Sequence, residues 1–233
     1  GLTDAPYSLR HIAELYQGQG YYVLAIRLPG HGTIPSALNY CHWRDWAAAT
    51  EIGAETVKVR IGEDMPFHIV GYSNGSALAV NYALDALDHS HLPSPDQLIL
   101  ISPMIGIDSD ARLTKWISLV GAIPYFKQSR WLDITPEYMP YKYCSFPANA
   151  AYQSYLITRK LEKKLKRVAE AGDNDQLPPI MAFQSVADAT VTSLAVADVL
   201  YENLSNPGDE LILFGVNSNA PETAFFQPGF CMD

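Results

Sequence analysis

The sequence contains no apolar run approaching the ~20 residues that a membrane-spanning helix needs, so no span is expected. Basic residues are scarce: Lys and Arg number 16 against 25 Asp and Glu, a net charge of −9. A surface of that sign lacks the positive footprint that phosphates require, which disfavours nucleic acid as a partner. Cysteine is scarce too. Cys41, Cys144 and Cys231 are an odd number without metal-like spacing, so they make no disulfide framework. Free thiols in a reducing compartment such as the cytoplasm are the simplest expectation, which a partner cysteine outside these residues would undo. No Gly-rich phosphate loop or dinucleotide fingerprint is present, and no cofactor is implied. No basic, apolar signal region opens the chain, which starts at Gly1-Leu2-Thr3-Asp4. Apolar residues, by contrast, make up 48% of 233 residues, enough to bury one full core.

Periodicity predicts strands alternating with helices. Residues 22–28 form a short apolar run closed by Pro29-Gly30. They follow an amphipathic stretch, residues 8–17, whose Leu9, Ile12, Ala13 and Tyr16 share one face before Gly18. An alanine-rich helix is expected over residues 42–60. Strands are expected at 67–71 and 97–102, with a helix at 76–87 between them. Further strands at 179–185 and 210–216 flank a helix near 193–203. Such alternation predicts an α/β fold, with a mostly parallel sheet covered on both faces. Three segments follow: core at 1–107, an insertion at 108–175, and core again at 176–233. The insertion is crowded with aromatics, among them Trp116, Tyr125, Trp131, Tyr141 and Tyr143, and is broken by Pro124, Pro136, Pro140 and Pro147. Its last helix should enter at Pro147 and leave at Gly172. It is too long for a connecting loop and reads as a lid over the carboxyl edge of the sheet.

The strongest chemical signal is Gly71-Tyr72-Ser73-Asn74-Gly75, set between an expected strand and an expected helix. A serine on such a turn adopts strained backbone angles, and residues two before and two after it crowd together. Gly71 and Gly75 fit that requirement. The helix behind Ser73 favours negative charge developing at the turn. The plainer alternative is a glycine-rich turn that happens to hold a serine; the strand–turn–helix context favours a nucleophile. His31, in Leu28-Pro29-Gly30-His31-Gly32, is a conceivable base, but a loop histidine fixed by backbone hydrogen bonds is the favoured expectation.

Gly1-Leu2-Thr3-Asp4-Ala5-Pro6, Leu28-Pro29-Gly30-His31-Gly32 and Gly71-Tyr72-Ser73-Asn74-Gly75 together resemble the α/β-hydrolase superfamily. Within it, the branch of monoacylglycerol lipases, lysophospholipases and serine aminopeptidases is the most similar. The resemblance implies that Gly1 matches the glycine of a His-Gly-x loop, so that the N–H groups of Leu2 and Asn74 form the oxyanion hole. The histidine that precedes that glycine in the family is not among these residues. It also implies that Ser185-Val186-Ala187-Asp188-Ala189-Thr190-Val191 matches the family's Asp-x-x-Val turn, making Asp188 the acid that orients an imidazole. A loop aspartate capping the next helix is the structural alternative for Asp188. Asp108, after the strand ending near Ser102, is the alternative acid.

In this fold the triad runs serine, acid, histidine. The six histidines are His11, His31, His42, His68, His89 and His91, and none follows Asp188. A serine without a base is a weak nucleophile. We expect a fragment lacking the first strands and the C-terminal end, in preference to a degenerate hydrolase that keeps the elbow without its chemistry.

Other constellations are weaker. His89 and His91 with Asp85 and Asp88 could suggest a metal site, but they read better as a helix end running into a polar loop, and no metal is expected. The basic run at residues 159–167 could touch an anionic membrane surface. Leu161, Leu165 and Val168 share one face there, so the charges read as the solvated side. The expected activity is a serine esterase acting on a small-molecule ester, with the aromatic lid suggesting an apolar acyl chain. Monoacylglycerol and lysophospholipid are the candidates. An aminopeptidase would instead need a lid carboxylate for the substrate amine, for which Asp133 and Glu137 are present. A hydrolase-fold binding protein without chemistry is the third possibility. Because the third strand of the fold is not found, the sheet should expose an unpaired edge. The chain by itself should therefore aggregate, and a stable, monodisperse monomer on sizing chromatography would count against that edge.

Overall fold

In a computed structural model the described residues are 1–105, 130–185, 196–204 and 206–215. Along the chain the elements are α1 (Arg10–Gly18), α2 (Trp43–Ile61), β1 (His68–Tyr72), α3 (Asn74–Asp88) and β2 (Gln97–Ile101). Then come β3 (Trp131–Asp133), β4 (Phe146–Pro147), α4 (Ala148–Ala171), β5 (Ile180–Ser185) and β6 (Glu210–Phe214). The main sheet has the order β1-β2-β5-β6, and each of its ladders is parallel. β3 and β4 form a separate antiparallel pair in the insertion. The fold is α/β, as the alternation predicts.

Why the layers stack this way follows from which side chains are apolar. β2 and β5 read Gln-Leu-Ile-Leu-Ile and Ile-Met-Ala-Phe-Gln-Ser, near-continuous apolar runs suited to burial on both faces. Leu98, Leu100, Ile180 and Ala182 are wholly buried on one face, against α3 and α4. α3 is small and apolar nearly all round, so it belongs in the interior; Ala77, Val80 and Leu84 have no exposed surface. α2, α3 and α4 pack on one another on this side. α1 lies on the other side of the sheet. Tyr16 of α1 packs edge-on against His68, while Ile69, one residue on and hence on the opposite face, joins the cluster of Ala54, Phe67 and Tyr82.

Caps explain the helix limits. His42 accepts from the Arg44 N–H and its own N–H donates to Asp45, opening α2. α4 enters from Pro147 and stops at Gly172, which holds φ 78°. The basic run lies on α4, and its charges are largely tied down. Lys164 meets Asp85, Arg167 meets Asp88, Arg159 and Lys166 share Glu162, and Lys160 stands over the Trp43 ring. Asp85 and Asp88 are thus paired with α4 cations, and no group of three or more metal-ligating side chains occurs among the described residues. No described helix is long and apolar enough to cross a membrane.

Two expectations need correction. Residues 22–28 are not a strand, because a strand exists only with a ladder partner and no described residue hydrogen-bonds to their stretch 22–26. The helix near 193–203 is, over its described part, one π turn (Val196–Leu200) followed by a 3-10 turn (Tyr201–Asn203). There the Tyr201 hydroxyl reaches the carbonyls of Ile180 and Glu210 across two strands, which holds the chain in this tighter path.

Leu165 of α4 is 1% exposed against the core, whereas Val59 of α2 is 88% exposed. Leu165→Ala should cost about 2–5 kcal/mol in urea denaturation, and Val59→Ala within about 0.5 kcal/mol.

Candidate active site

Two non-glycine residues among those described hold positive φ: Ser73 at 52° and Ser102 at 43°. They follow β1 and β2, whose last residues Tyr72 and Ile101 are register partners. Backbone strain of this kind costs about 1–3 kcal/mol per residue and persists only where surroundings enforce it. It marks the carboxyl edge of the sheet independently of any motif.

The enforcing contacts at Ser73 are visible. Its N–H donates to the Ile101 carbonyl at 2.9 Å, and its carbonyl accepts from the N–H groups of Ser76 and Met104 at 2.9 and 3.3 Å. The Ser76 hydroxyl donates to the Gly71 carbonyl, closing the turn from beneath. A Cβ at Gly71 would lie 2.6 Å from Ser76 Cα and 2.7 Å from the Gly75 carbonyl oxygen, so a side chain there cannot fit. At Gly75 a Cβ would meet no described atom within 4 Å. Among the described residues the crowding is one-sided: the first turn of α3 lies over Gly71, while none of their atoms approaches Gly75. Ser73 is the N-cap of α3, yet its side chain makes no capping bond. Among the described residues the hydroxyl caps none of the helix N–H groups, at the positive end of the helix.

Asn74 is fully buried, and its Oδ1 accepts from the Ser154 hydroxyl of α4 at 3.3 Å. Its Nδ2 has no partner among the described residues. As the first residue of α3, it has no intrahelical acceptor for its N–H. Leu2 is buried in the main core, and its N–H has no hydrogen-bond partner among the described residues. The Gly1–Leu2 segment lies beside the elbow: a Cβ at Gly1 would stand 3.1 Å from the Tyr72 ring.

Tyr143 is a residue that sequence reasoning missed. Its N–H donates to the Thr3 carbonyl, its hydroxyl donates to the Gly30 carbonyl at 2.9 Å, and the Thr33 N–H donates to that hydroxyl at 2.7 Å. It joins the Leu2 segment to the His31 loop. No spacing rule singles it out from the other tyrosines of the insertion. His31 itself is 2% exposed; its Nδ1 lies 3.0 Å from the Pro29 carbonyl and its ring stands edge-on to Trp46. Burial lowers its pKa, opposed by the backbone hydrogen bond to Pro29, so the imidazole is held neutral. Because Pro29 can only accept, the proton belongs on Nδ1; Nε2 has no partner among the described residues. Asp188 and Asp108, the two candidate acids, and Cys231 lie outside the described residues. Cys41 and Cys144 are free thiols.

Gly71→Ala should lose more than about 2 kcal/mol in urea denaturation, because backbone must move to admit the methyl group. Gly75→Ala should stay within about 1 kcal/mol of the parent. Equal losses from the two would contradict the one-sided elbow.

The family model for serine aminopeptidase, S33, matches residues 1–214. A thermostable monoacylglycerol lipase from Bacillus sp. (strain H-257) is 25% identical over 213 residues, covering 91% of this chain and 77% of that one. Among solved structures, one of the metagenome-derived lipolytic enzymes LipS and LipT superposes with a TM-score of 0.72 at 22% identity, over 92% of this chain and 80% of that chain. The monoacylglycerol lipase of Paleococcus ferrophilus gives a TM-score of 0.67 at 15% identity, over 93% and 82%. With a strained serine between a parallel strand and a buried helix, and with that match along nearly its whole length, the chain belongs to the serine aminopeptidase S33 family, in the lipase- and esterase-like branch of the α/β-hydrolases.

Proposed function

We propose that the protein hydrolyses carboxylic esters through an acyl-enzyme on Ser73. The observation that carries this reading is the Ser73 backbone at φ 52°, pinned by Ile101 and Met104, with a hydroxyl free of any capping bond. In the proposed step Ser73 Oγ attacks the ester carbonyl and loses its proton to a base. The carbonyl oxygen becomes an oxyanion, which the N–H groups of Leu2 and Asn74 hold. Collapse expels the alcohol and leaves the acyl group on Ser73; water then releases the acid. Asp188 is assigned the orientation of the imidazole that serves as base. The order of the triad places that imidazole beyond Asp188, where the sequence has no histidine.

A lipid-like or small acyl ester is the proposed substrate class, on the aromatic content of the insertion and the similarity to a monoacylglycerol lipase. The aminopeptidase alternative needs a free lid carboxylate. Glu137 does not offer one: its two oxygens accept the N–H groups of Cys144 and Ser145, each at 2.8 Å. Desolvation raises its pKa, but those backbone bonds outweigh it and lower the pKa overall. Asp133 is exposed and would be the residue to carry that reading.

Fluorophosphonate treatment followed by intact mass measurement tests the proposal. Oxyanion donors and binding alone leave roughly 10³–10⁴-fold acceleration when a triad member is removed, so a slow single adduct is expected. Added imidazole should speed its formation, and Ser73→Ala should abolish it. An adduct that persists in Ser73→Ala, or none after prolonged exposure with imidazole, would favour a binding protein on this fold.

A further inference from the structure

Ser102 shares with Ser73 a positive φ, 43°, although it lies outside the Gly71–Gly75 turn. Its place in the sheet relates the two. Tyr72 pairs with Ile101 at the end of the β1–β2 ladder, so the next residues, Ser73 and Ser102, come opposite each other. In a regular parallel ladder, Ser73 would donate its N–H to the residue before its partner and accept at its carbonyl from the residue after it. The first bond forms: the Ser73 N–H reaches the Ile101 carbonyl at 2.9 Å. The second cannot, because the residue after Ser102 is Pro103, which has no N–H. The Ser73 carbonyl accepts from the Met104 N–H instead, at 3.3 Å, beside that of Ser76 at 2.9 Å.

We propose that Ser102 is a positioning residue for Ser73: its left-handed backbone turns the chain past Pro103, so that the Met104 N–H reaches the Ser73 carbonyl and holds Ser73 at positive φ. Extended backbone at residue 102 could not do this. Successive N–H groups of a strand point to opposite sides, so an extended chain would aim the Met104 N–H towards β5, away from Ser73. Slipping the strand is no remedy either. The Ser102 N–H is fixed to the Phe183 carbonyl of β5 at 2.8 Å, and Met104 and Ile105 are anchored in the interior at 7% and 1% exposed. A strained non-glycine backbone persists only where its surroundings enforce it. Here the two strained residues stand at adjacent strand ends and share one clamp: Ile101 holds the N–H of Ser73, and Met104 holds its carbonyl. The consequence for acyl transfer rests on the proposed hydrolase activity; the clamp itself does not.

The test reads two quantities on the full chain: hydrogen exchange at the Met104 amide, and fluorophosphonate adduct formation with imidazole, resolved into kinact and KI. Ser102→Gly and Ser102→Asn keep the left-handed backbone at little cost, whereas Ser102→Val, branched at Cβ, opposes it. Pro103→Ala supplies the N–H that a regular ladder uses, and so removes the detour without adding strain. Ser102→Val and Pro103→Ala should each speed Met104 exchange at least about tenfold. Both should lower kinact at least about tenfold, because the nucleophile is misplaced, and leave KI within about twofold. Ser102→Gly and Ser102→Asn should stay within about threefold of the parent in both readouts. Leu165→Ala controls for lost stability: it should leave kinact unchanged and raise exchange throughout the molecule rather than at Met104 alone. Parent-like Met104 exchange in both Ser102→Val and Pro103→Ala would overturn the proposal. So would equal losses in Ser102→Gly and Ser102→Asn, which would assign the effect to the hydroxyl, or an equal fall of kinact in Leu165→Ala. The expected exchange pattern in a chain that forms no adduct would uphold the clamp and count against the hydrolase activity instead.

Discussion

The structure turns on the close approach of a helix to the strand that precedes it. α3 begins immediately after β1, and its first turn comes so near Gly71 that no side chain fits there. That approach forces Ser73 to positive φ, and the Ile101 carbonyl and Met104 N–H hold it there. Everything else at the candidate site is arranged around this point. α3 can start so close because Gly75, Ser76 and Ala77 in its first turn are small; larger residues there would move it off the sheet. α4 then packs on α3, buries Asn74 through Ser154, and brings the insertion against the Leu2 segment by way of Tyr143.

Much of this was legible in the sequence where local chemistry and tertiary structure agree. The apolar runs of β2 and β5 read as doubly covered strands because both faces are filled by their own neighbours. Pro147 and Gly172 marked the ends of α4 because ring and αL constraints act within a few residues. Gly71 was legible for the same reason. The motif treats both glycines alike, whereas a Cβ would be blocked at Gly71 and would meet no described atom within 4 Å at Gly75.

The misreadings concern partners distant in sequence. Residues 22–28 carry strand-like composition, but composition cannot say whether another strand lies alongside. Tyr143 ties together segments more than a hundred positions away, at Gly30 and Thr33, through one hydroxyl. No local pattern encodes such a reach. The tyrosine-rich insertion suggested an apolar acyl site, yet Tyr143 is structural in this sense: it bonds backbone groups and positions the Leu2 segment.

The central claim is that Ser73, with the N–H groups of Leu2 and Asn74, forms one acyl-transfer site. The most direct measurement is a crystal structure of the chain carrying a phosphonate on Ser73 Oγ, which stands in for the tetrahedral intermediate. The account predicts the phosphonyl oxygen within about 2.7–3.1 Å of both N–H groups. An oxygen turned to solvent, or held by neither residue, would contradict it.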